Sequence, residues 1–523
     1  MLCLRAALIL LGLGVTVQAQ NFNNPVIYED YPDNDVFLGP DGETYYMSTS
    51  SFHYSPGAPI LSSTDLVNWQ PIGHSVPSLD FGSQYSMENN QTAYNAGIWA
   101  STLRYRKSNN QWYWIGCVGF WTTYVYTAPS VTGPWRQSAS FPGTCFYDCG
   151  LLIDDTDTMY VAYGSDQVHV AQLSSDGLSI VQTQQVFSNP AECPGGIEGN
   201  RMYKINGLYY ILDDCPAQGI TEVWKASNPF GPYTRKILSN GTPSPVPGSG
   251  SPDQGSLIET PNGNWYFMSF AWAYPLGRLP ILAPVSWGSD AFPVLETVNG
   301  AWGESYPYPL PEQSNPPSWI GGDTFWALGP AWEWNHNPDT TKFSFNYPGL
   351  TLQTATVTTD LFHARNTLTH RLNGQYPVGT LRINFSNMAD GDICGLAAFR
   401  DESAWIGVVR NGGSYTITAV QSLTQDPNNS WATTSDGNVV STAPISPSQD
   451  VWLQVRIDAR SNGSKQGTLA YSTDGNTFTQ LGGAFGLDVT FNYFMGYRYG
   501  IFNFATKALG GSIKLVEFVS WSS

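Results

Sequence analysis

Five times between residues 30 and 290 the chain repeats one design. A Gly- or Asn-marked turn leads into an aromatic-rich strand, then a second strand, then a Pro/Gly/Asp turn. The aromatic strands are Thr44-Tyr45-Tyr46-Met47, Trp112-Tyr113-Trp114, Met159-Tyr160-Val161, Tyr209-Tyr210-Ile211 and Trp265-Tyr266-Phe267. Several repeats close on a turn and an aromatic, as in Asp65-Leu66-Val67-Asn68-Trp69, Thr132-Gly133-Pro134-Trp135 and Phe230-Gly231-Pro232-Tyr233. The anchors Tyr46, Tyr113, Tyr160, Tyr210 and Tyr266 are 67, 47, 50 and 56 residues apart. Short strands at so long a period, with no helix-length amphipathic runs, predict a five-bladed β-propeller.

Twelve to fourteen residues before each anchor stands a conspicuous side chain: Asp33, Trp99, Asp148, Glu198 and Asp253. Equivalent positions in successive blades occupy equivalent places, so innermost strands carrying these residues would turn four carboxylates and a Trp toward one central pocket. Clustered acids repel one another and are costly to bury, so the arrangement points to chemistry rather than to packing. Asp35 and Glu192 are the competing carboxylates. Asp33 and Glu198 keep the blade register; Asp35 and Glu192 do not.

The remaining features frame this core. Residues 1–19 combine Arg5, an apolar run and the small-residue ending Val17-Gln18-Ala19, the pattern of a secretory signal peptide rather than a membrane anchor. The expected mature chain starts near Gln20 and is soluble, extracellular and monomeric. Beyond Cys3, Cys117, Cys145, Cys149, Cys193, Cys215 and Cys394 read as disulfide candidates. Proximity suggests Cys145 with Cys149 and Cys193 with Cys215, with other pairings open. Sequons at Asn90, Asn240, Asn384, Asn428 and Asn462 suit a glycoprotein. A net charge of -18 argues against nucleic acid and suits a neutral partner such as a polysaccharide. His53 and His74 make no metal-ligand spacing. After the propeller, assigned to residues 20–305, a Pro-rich linker spans 306–320. Alternating runs such as Val451-Trp452-Leu453-Gln454-Val455 then predict a β-sandwich over 321–523. The fold class is all-β.

The motifs also resemble glycoside hydrolase family 43, in order along the whole propeller. The resemblance lies in Asn24-Pro25-Val26 through Tyr31-Pro32-Asp33, Gly97-Ile98-Trp99-Ala100, Ile197-Glu198-Gly199, Asp253-Gln254-Gly255 and Leu276-Gly277-Arg278. Trp332-Glu333-Trp334-Asn335 resembles the start of the jelly-roll domain of many members, which more often packs on the propeller and shapes the active-site rim than binds sugar independently. The resemblance implies that Asp33 is the general base, Glu198 the general acid and Asp148 the carboxylate that orients the acid. It implies that Arg278, Phe52 and Trp99 contact the terminal sugar; Trp121, Tyr147 and Asp253 are further lining candidates. Two departures stand out. Asn34 follows Asp33 where the family has Pro, and Asp253 stands where a His near a metal ion is frequent, so calcium is not implied firmly and no cofactor is expected. Glu192-Cys193-Pro194 is similar to a motif of invertase-like propellers, but their opening motif is absent.

Family members invert the anomeric centre, which needs a base and an acid about 6.5–9.5 Å apart with room for water. Glu198 should then have a raised pKa. The opening Asp33-Asn34-Asp35-Val36-Phe37 and the form of the second domain look closest to fungal arabinofuranosidases acting on arabinoxylan, some of which act on doubly substituted xylose. β-Xylosidase or arabinan-acting exo-enzymes come next, and a catalytically silent carbohydrate-binding propeller is the alternative of another class.

Overall fold

The computed structural model describes residues 20–314, 318 and 321–522. The expected signal peptide and residues 315–317 and 319–320 of the expected linker lie outside the described residues. Among the described residues, five four-stranded antiparallel sheets follow one another along the chain. Blade 1 is Asp35–Leu38, Tyr45–Ser48, Gly57–Ser63 and Gln70–Val76; blade 2 is Thr102–Arg106, Gln111–Val118, Thr122–Ala128 and Arg136–Pro142. Blade 3 is Gly150–Ile153, Met159–Gly164, Gln167–Leu173 and Ile180–Ser188. Blade 4 is Glu198–Ile205, Leu208–Cys215, Ile220–Ala226 and Thr234–Asn240, and blade 5 is Ser256–Glu259, Trp265–Trp272, Arg278–Trp287 and Pro293–Leu295.

The burial of each strand follows its place in the blade. Middle strands are covered on both faces by neighbouring blades, so Gly57–Ser63 is buried throughout and reads as an apolar run rather than an alternation. The outermost strand Ile180–Ser188 is polar and mostly exposed. The closing turns share a device. In the first, the Asp65 carboxylate accepts the backbone N–H of Val67 and Asn68 at 2.9 and 2.7 Å. The terminal aromatic then donates back into the turn: Trp69 Nε1 to the Leu66 carbonyl at 2.9 Å, Trp135 Nε1 to Val131 at 3.0 Å, and the Tyr233 hydroxyl to Pro229 at 2.9 Å.

The N-terminal segment seals the ring. Asn21–Asn23 pairs with Ser305–Pro307, and the backbone N–H groups of Val26 and Tyr31 donate to Pro280 and Arg278 of blade 5. The expected linker therefore starts late: Tyr306, Pro307 and Tyr308, whose N–H reaches the Gln20 carbonyl, are tied into the propeller.

The second domain is a β-sandwich. One sheet is built around Ser512–Ser522, Pro377–Asn384, Val451–Ile457 and Gln466–Ser472, the other around Ser414–Asp426, Glu402–Asn411, Asp392–Phe399 and Arg498–Ala505. The second sheet does not end within its own domain. Its strand Trp332–Asn335 pairs with Tyr54–Ser55 of the propeller, so a loop of blade 1 extends the sandwich. Beside that seam Glu333, fully buried, accepts from Arg371 at 3.0 Å, Arg498 at 2.6 Å and His74 at 3.0 Å. An ion cluster buried in this way requires all its partners, because removal of one leaves an uncompensated charge.

The disulfides are Cys117–Cys145 and Cys193–Cys215. The second matches the suggestion from proximity; the first corrects the suggested Cys145–Cys149 pairing. Cys145 follows the outer strand of blade 2 and returns to that blade, where Cys117 is 5.1 Å away Cα to Cα. Cys149 points inward and donates to the Ile115 carbonyl.

Candidate active site

The register residues do not lie within the innermost strands, as their spacing suggested, but at the N-terminal ends of them. Asp33 and Asp148 each precede an inner strand by two residues, and Trp99 and Asp253 by three. Glu198 opens its strand, but the ladder there is irregular until Arg201. All five therefore gather at one mouth of the central channel. Asp33 and Asp148 adopt positive φ, 58° and 47°, a conformation unfavourable for non-glycine residues that recurs where a fold fixes a functional group. One layer deeper, Asp35 is structural: despite burial, Arg104 at 2.7 Å and Arg201 at 3.4 Å hold its carboxyl below the usual range. Asn34, the departure after Asp33, donates to the Ser269 carbonyl at 3.1 Å, a bond that proline could not make.

Asp33 is buried and gripped. Arg278 Nη1 donates to Oδ1 at 2.6 Å and Nη2 to Oδ2 at 3.2 Å, a two-pronged pairing that stabilises the anion. The Ser50 hydroxyl adds a bond to Oδ2 at 2.6 Å, and the Gln254 amide, oriented so that both its ends are satisfied, donates to Oδ1 at 3.1 Å. Glu198 is held differently. The Tyr147 hydroxyl donates to its Oε2 at 2.9 Å, leaving Oε1 to carry a transferable proton. Burial and the charge of Asp33 push the Glu198 carboxyl up, against the Tyr147 bond and Arg278. Asp148 accepts the Gly199 N–H at 3.1 Å, which ties it to the backbone beside Glu198; burial, then Glu198 and Asp33, push its carboxyl well up. One carboxylate is thus paired with a guanidinium while the other two are pushed up, an asymmetry of environment that acid–base chemistry can use.

Aromatic rings wall this centre. Phe52 lies 5.9 Å from Trp99 and stacks at 6.3 Å on Phe494, which comes from the sandwich domain. The Phe494 carbonyl accepts from Arg278 Nε at 3.2 Å. Phe120 packs edge-on against Trp99 at 4.9 Å and near Tyr147 at 5.8 Å. Trp121, expected in the lining, is 67% exposed and lines neither hollow of the site, whereas its neighbour Phe120, itself 61% exposed, lines the smaller one. Two hollows flank this centre. A chamber of about 180 Å³ lies among Trp99, Phe120, Tyr147 and Asp148. A groove of about 920 Å³ runs from Glu198 past Asp253 and Trp272 to Phe491 and Phe494.

Asp253 lines the groove. Its Oδ2 accepts from Trp272 Nε1 at 2.9 Å, while burial, despite that bond, pushes its carboxyl up to about 7. Among the described residues no three His, Cys, Asp or Glu side chains group so as to hold a metal ion. Glu192 is far from these contacts, half-exposed and paired with Arg235. Residues beyond those singled out from sequence also belong to the site. Asp214 stands opposite Glu198 in the strand pairing, 1% exposed, and burial and Glu198 push its carboxyl well up. The pair Asp213-Asp214, ending the otherwise apolar strand Leu208–Cys215, was its available signal. Phe494 carried none, being over 200 residues from its partner Arg278.

The profile of glycosyl hydrolases family 43 matches residues 22–293, and that of the beta xylosidase C-terminal Concanavalin A-like domain matches 323–518. A beta-xylosidase of Formosa agariphila is 27% identical over 560 residues, covering 95% of this chain and 89% of that protein. A non-reducing end alpha-L-arabinofuranosidase of Bacteroides ovatus is 29% identical over 336 residues, covering 58% of this chain and 59% of that one. A solved GH43 glycoside hydrolase, engineered at its active site to display both endo-xylanase and exo-arabinofuranosidase activity, superposes with a TM-score of 0.92 at 42% identity. That match covers 96% of this chain and 100% of the other. With the family profile matching residues 22–293, more than half of the chain, the chain belongs to glycoside hydrolase family 43.

Proposed function

We propose that this glycoside hydrolase is a secreted, inverting α-L-arabinofuranosidase that removes side chains from arabinoxylan. The observation that carries the reading is a small aromatic chamber lined by Tyr147 and a long groove lined by Glu198, on the two sides of the Tyr147–Glu198 hydrogen bond. At about 180 Å³ the chamber suits one sugar ring, below the usual size of sites for larger ligands, while the groove gives a polymer backbone room to continue. Asp33 accepts a proton from water as the water oxygen attacks the anomeric carbon. Glu198 gives its proton to the departing glycosidic oxygen, so the bond breaks and the released sugar has the inverted configuration. Arg278, bonded to both oxygens of Asp33, holds that carboxylate in place.

Removal of terminal xylose is the second reading, favoured by the Formosa agariphila beta-xylosidase that aligns with 95% of this chain. The test is sugar release from arabinoxylan, arabinan and xylo-oligosaccharides, with NMR following anomer and linkage. Arabinose from arabinoxylan, first as the inverted anomer, is the expected result; arabinose from arabinan alone or xylose from the oligosaccharides would overturn the substrate and keep the acid–base pair. Glu198→Gln should lower turnover roughly 10²–10⁴-fold while sugar affinity persists. A propeller that only binds sugar would show no turnover to lose.

A further inference from the structure

The base, its arginine and the sandwich domain are joined by a residue outside the catalytic set. Asp30 is 3% exposed, three residues before Asp33 on the N-terminal segment that seals the ring. Its Oδ1 accepts the backbone N–H of Arg278 at 2.8 Å, and its Oδ2 accepts the backbone N–H of Gly496 at 2.9 Å. One carboxylate thus receives donors from two domains. These contacts close a circuit: Asp30 holds the Arg278 backbone, the Arg278 side chain holds Asp33 and the Phe494 carbonyl, and the Phe494–Gly496 segment returns to Asp30.

The backbones at this joint pack too tightly for side chains. A Cβ on Gly496 would stand 1.8 Å from the Leu276 carbonyl oxygen, and one on Gly277 would stand 2.4 Å from the Asp30 carboxyl carbon. Tyr497 N–H also donates to the Pro275 carbonyl at 3.0 Å. The sandwich segment 494–497 is therefore seated directly on the turn that starts the Arg278 strand.

We infer that Asp30 is a positioning residue that clamps segment 494–497 of the sandwich onto the Arg278 turn and thereby fixes the grip of Arg278 on Asp33. The inference rests on Asp33 being the base. It acts through geometry: the guanidinium bonded to both oxygens of Asp33 sets where that carboxylate points, and a loosened one leaves it free to turn away. In Asp30→Asn, one of the two backbone donors faces an amide NH₂ and loses its acceptor, so the circuit opens. Gly496→Ala opens it from the other side with the carboxylate intact.

Both variants should lower kcat at least tenfold on whichever substrate the wild type cleaves. On an Arg278→Lys background neither should lower kcat by more than about twofold further, since the grip they support is already gone. Both should also speed amide hydrogen exchange in segments 489–497 and 273–279 without changing the remaining blades. A wild type that cleaves nothing would count against the proposed function, while the exchange measurement would still decide the clamp. Unchanged exchange in these segments, or a full tenfold loss on the Arg278→Lys background, would overturn the assignment. So would the failure of both variants to fold, because Asp30 would then be a structural group only.

Discussion

At the scale of single residues, the site separates three carboxyls by their neighbours. Asp33 has Arg278 on both oxygens and stays with its charge balanced. Asp148 and Glu198 are both buried: burial, then Glu198 and Asp33, push Asp148 well up, and burial and the charge of Asp33 push Glu198 up. A pair coupled in this way releases its protons in two steps, and the higher step belongs to the pair rather than to either member. Activity requires the proton on Glu198, so the alkaline limb of kcat/KM reports the higher step. Asp148→Asn removes one charge from the pair, and Glu198 alone then ionises more readily. The limb should move to lower pH, with kcat reduced by one to two orders of magnitude as the acid is less often protonated and less well oriented. A pH–rate series on the variant checks this, and a limb that moves up or not at all would show that Asp148 does not tune the acid.

At the scale of elements, the sequence exposed whatever the blade repeat imposes and hid whatever arises between distant segments. Asp33, Asp148, Glu198 and Asp253 were legible because each inner strand begins at a fixed distance from a buried aromatic anchor. Their place at strand ends rather than inside strands was not legible, since spacing alone does not reveal the positive φ of Asp33 and Asp148. Trp121 and Phe120 are both exposed at the same turn, and only Phe120 reaches Trp99 and Tyr147, a difference that composition cannot report. The cysteines obey the same division. Cys193 and Cys215 flank one blade and were paired by proximity, whereas Cys117 and Cys145 meet only because the outer strand of blade 2 folds back. That bond lies beside the chamber and closes a loop with a sequence separation of 28. A Cys117→Ser, Cys145→Ser double variant should lose roughly 2–4 kcal/mol of stability, read by denaturant unfolding. Peptide mapping without reduction should recover 117 linked to 145, with Cys149 alkylated only after denaturation.

At the scale of the whole molecule, the two domains share strands, charges and catalytic contacts instead of meeting at a soft interface. The sandwich sheet ends on Tyr54–Ser55 of blade 1, and the Arg498 guanidinium lies 3.5 Å from the centre of the Tyr54 ring. Glu333 of the sandwich is buried with His74 of the propeller, and Arg371 donates across to the Asp30 carbonyl at 2.8 Å. Independent unfolding of either domain would strand these charges in a half-open interface, and breaking one buried ion pair by losing a partner costs roughly 3–5 kcal/mol. The full chain should therefore unfold in a single calorimetric transition with matching calorimetric and van't Hoff enthalpies. A propeller fragment of residues 20–314 would lack Phe494, Gly496 and the strand that covers Tyr54. It should be poorly soluble or, if soluble, at least a hundredfold less active than the full chain. Two well-separated transitions, or a fragment that keeps full activity, would mean that the sandwich only accompanies the catalytic domain. The contacts at Arg278 argue for the opposite: the propeller supplies Asp33 and Glu198, and the sandwich braces the arginine that pairs with Asp33.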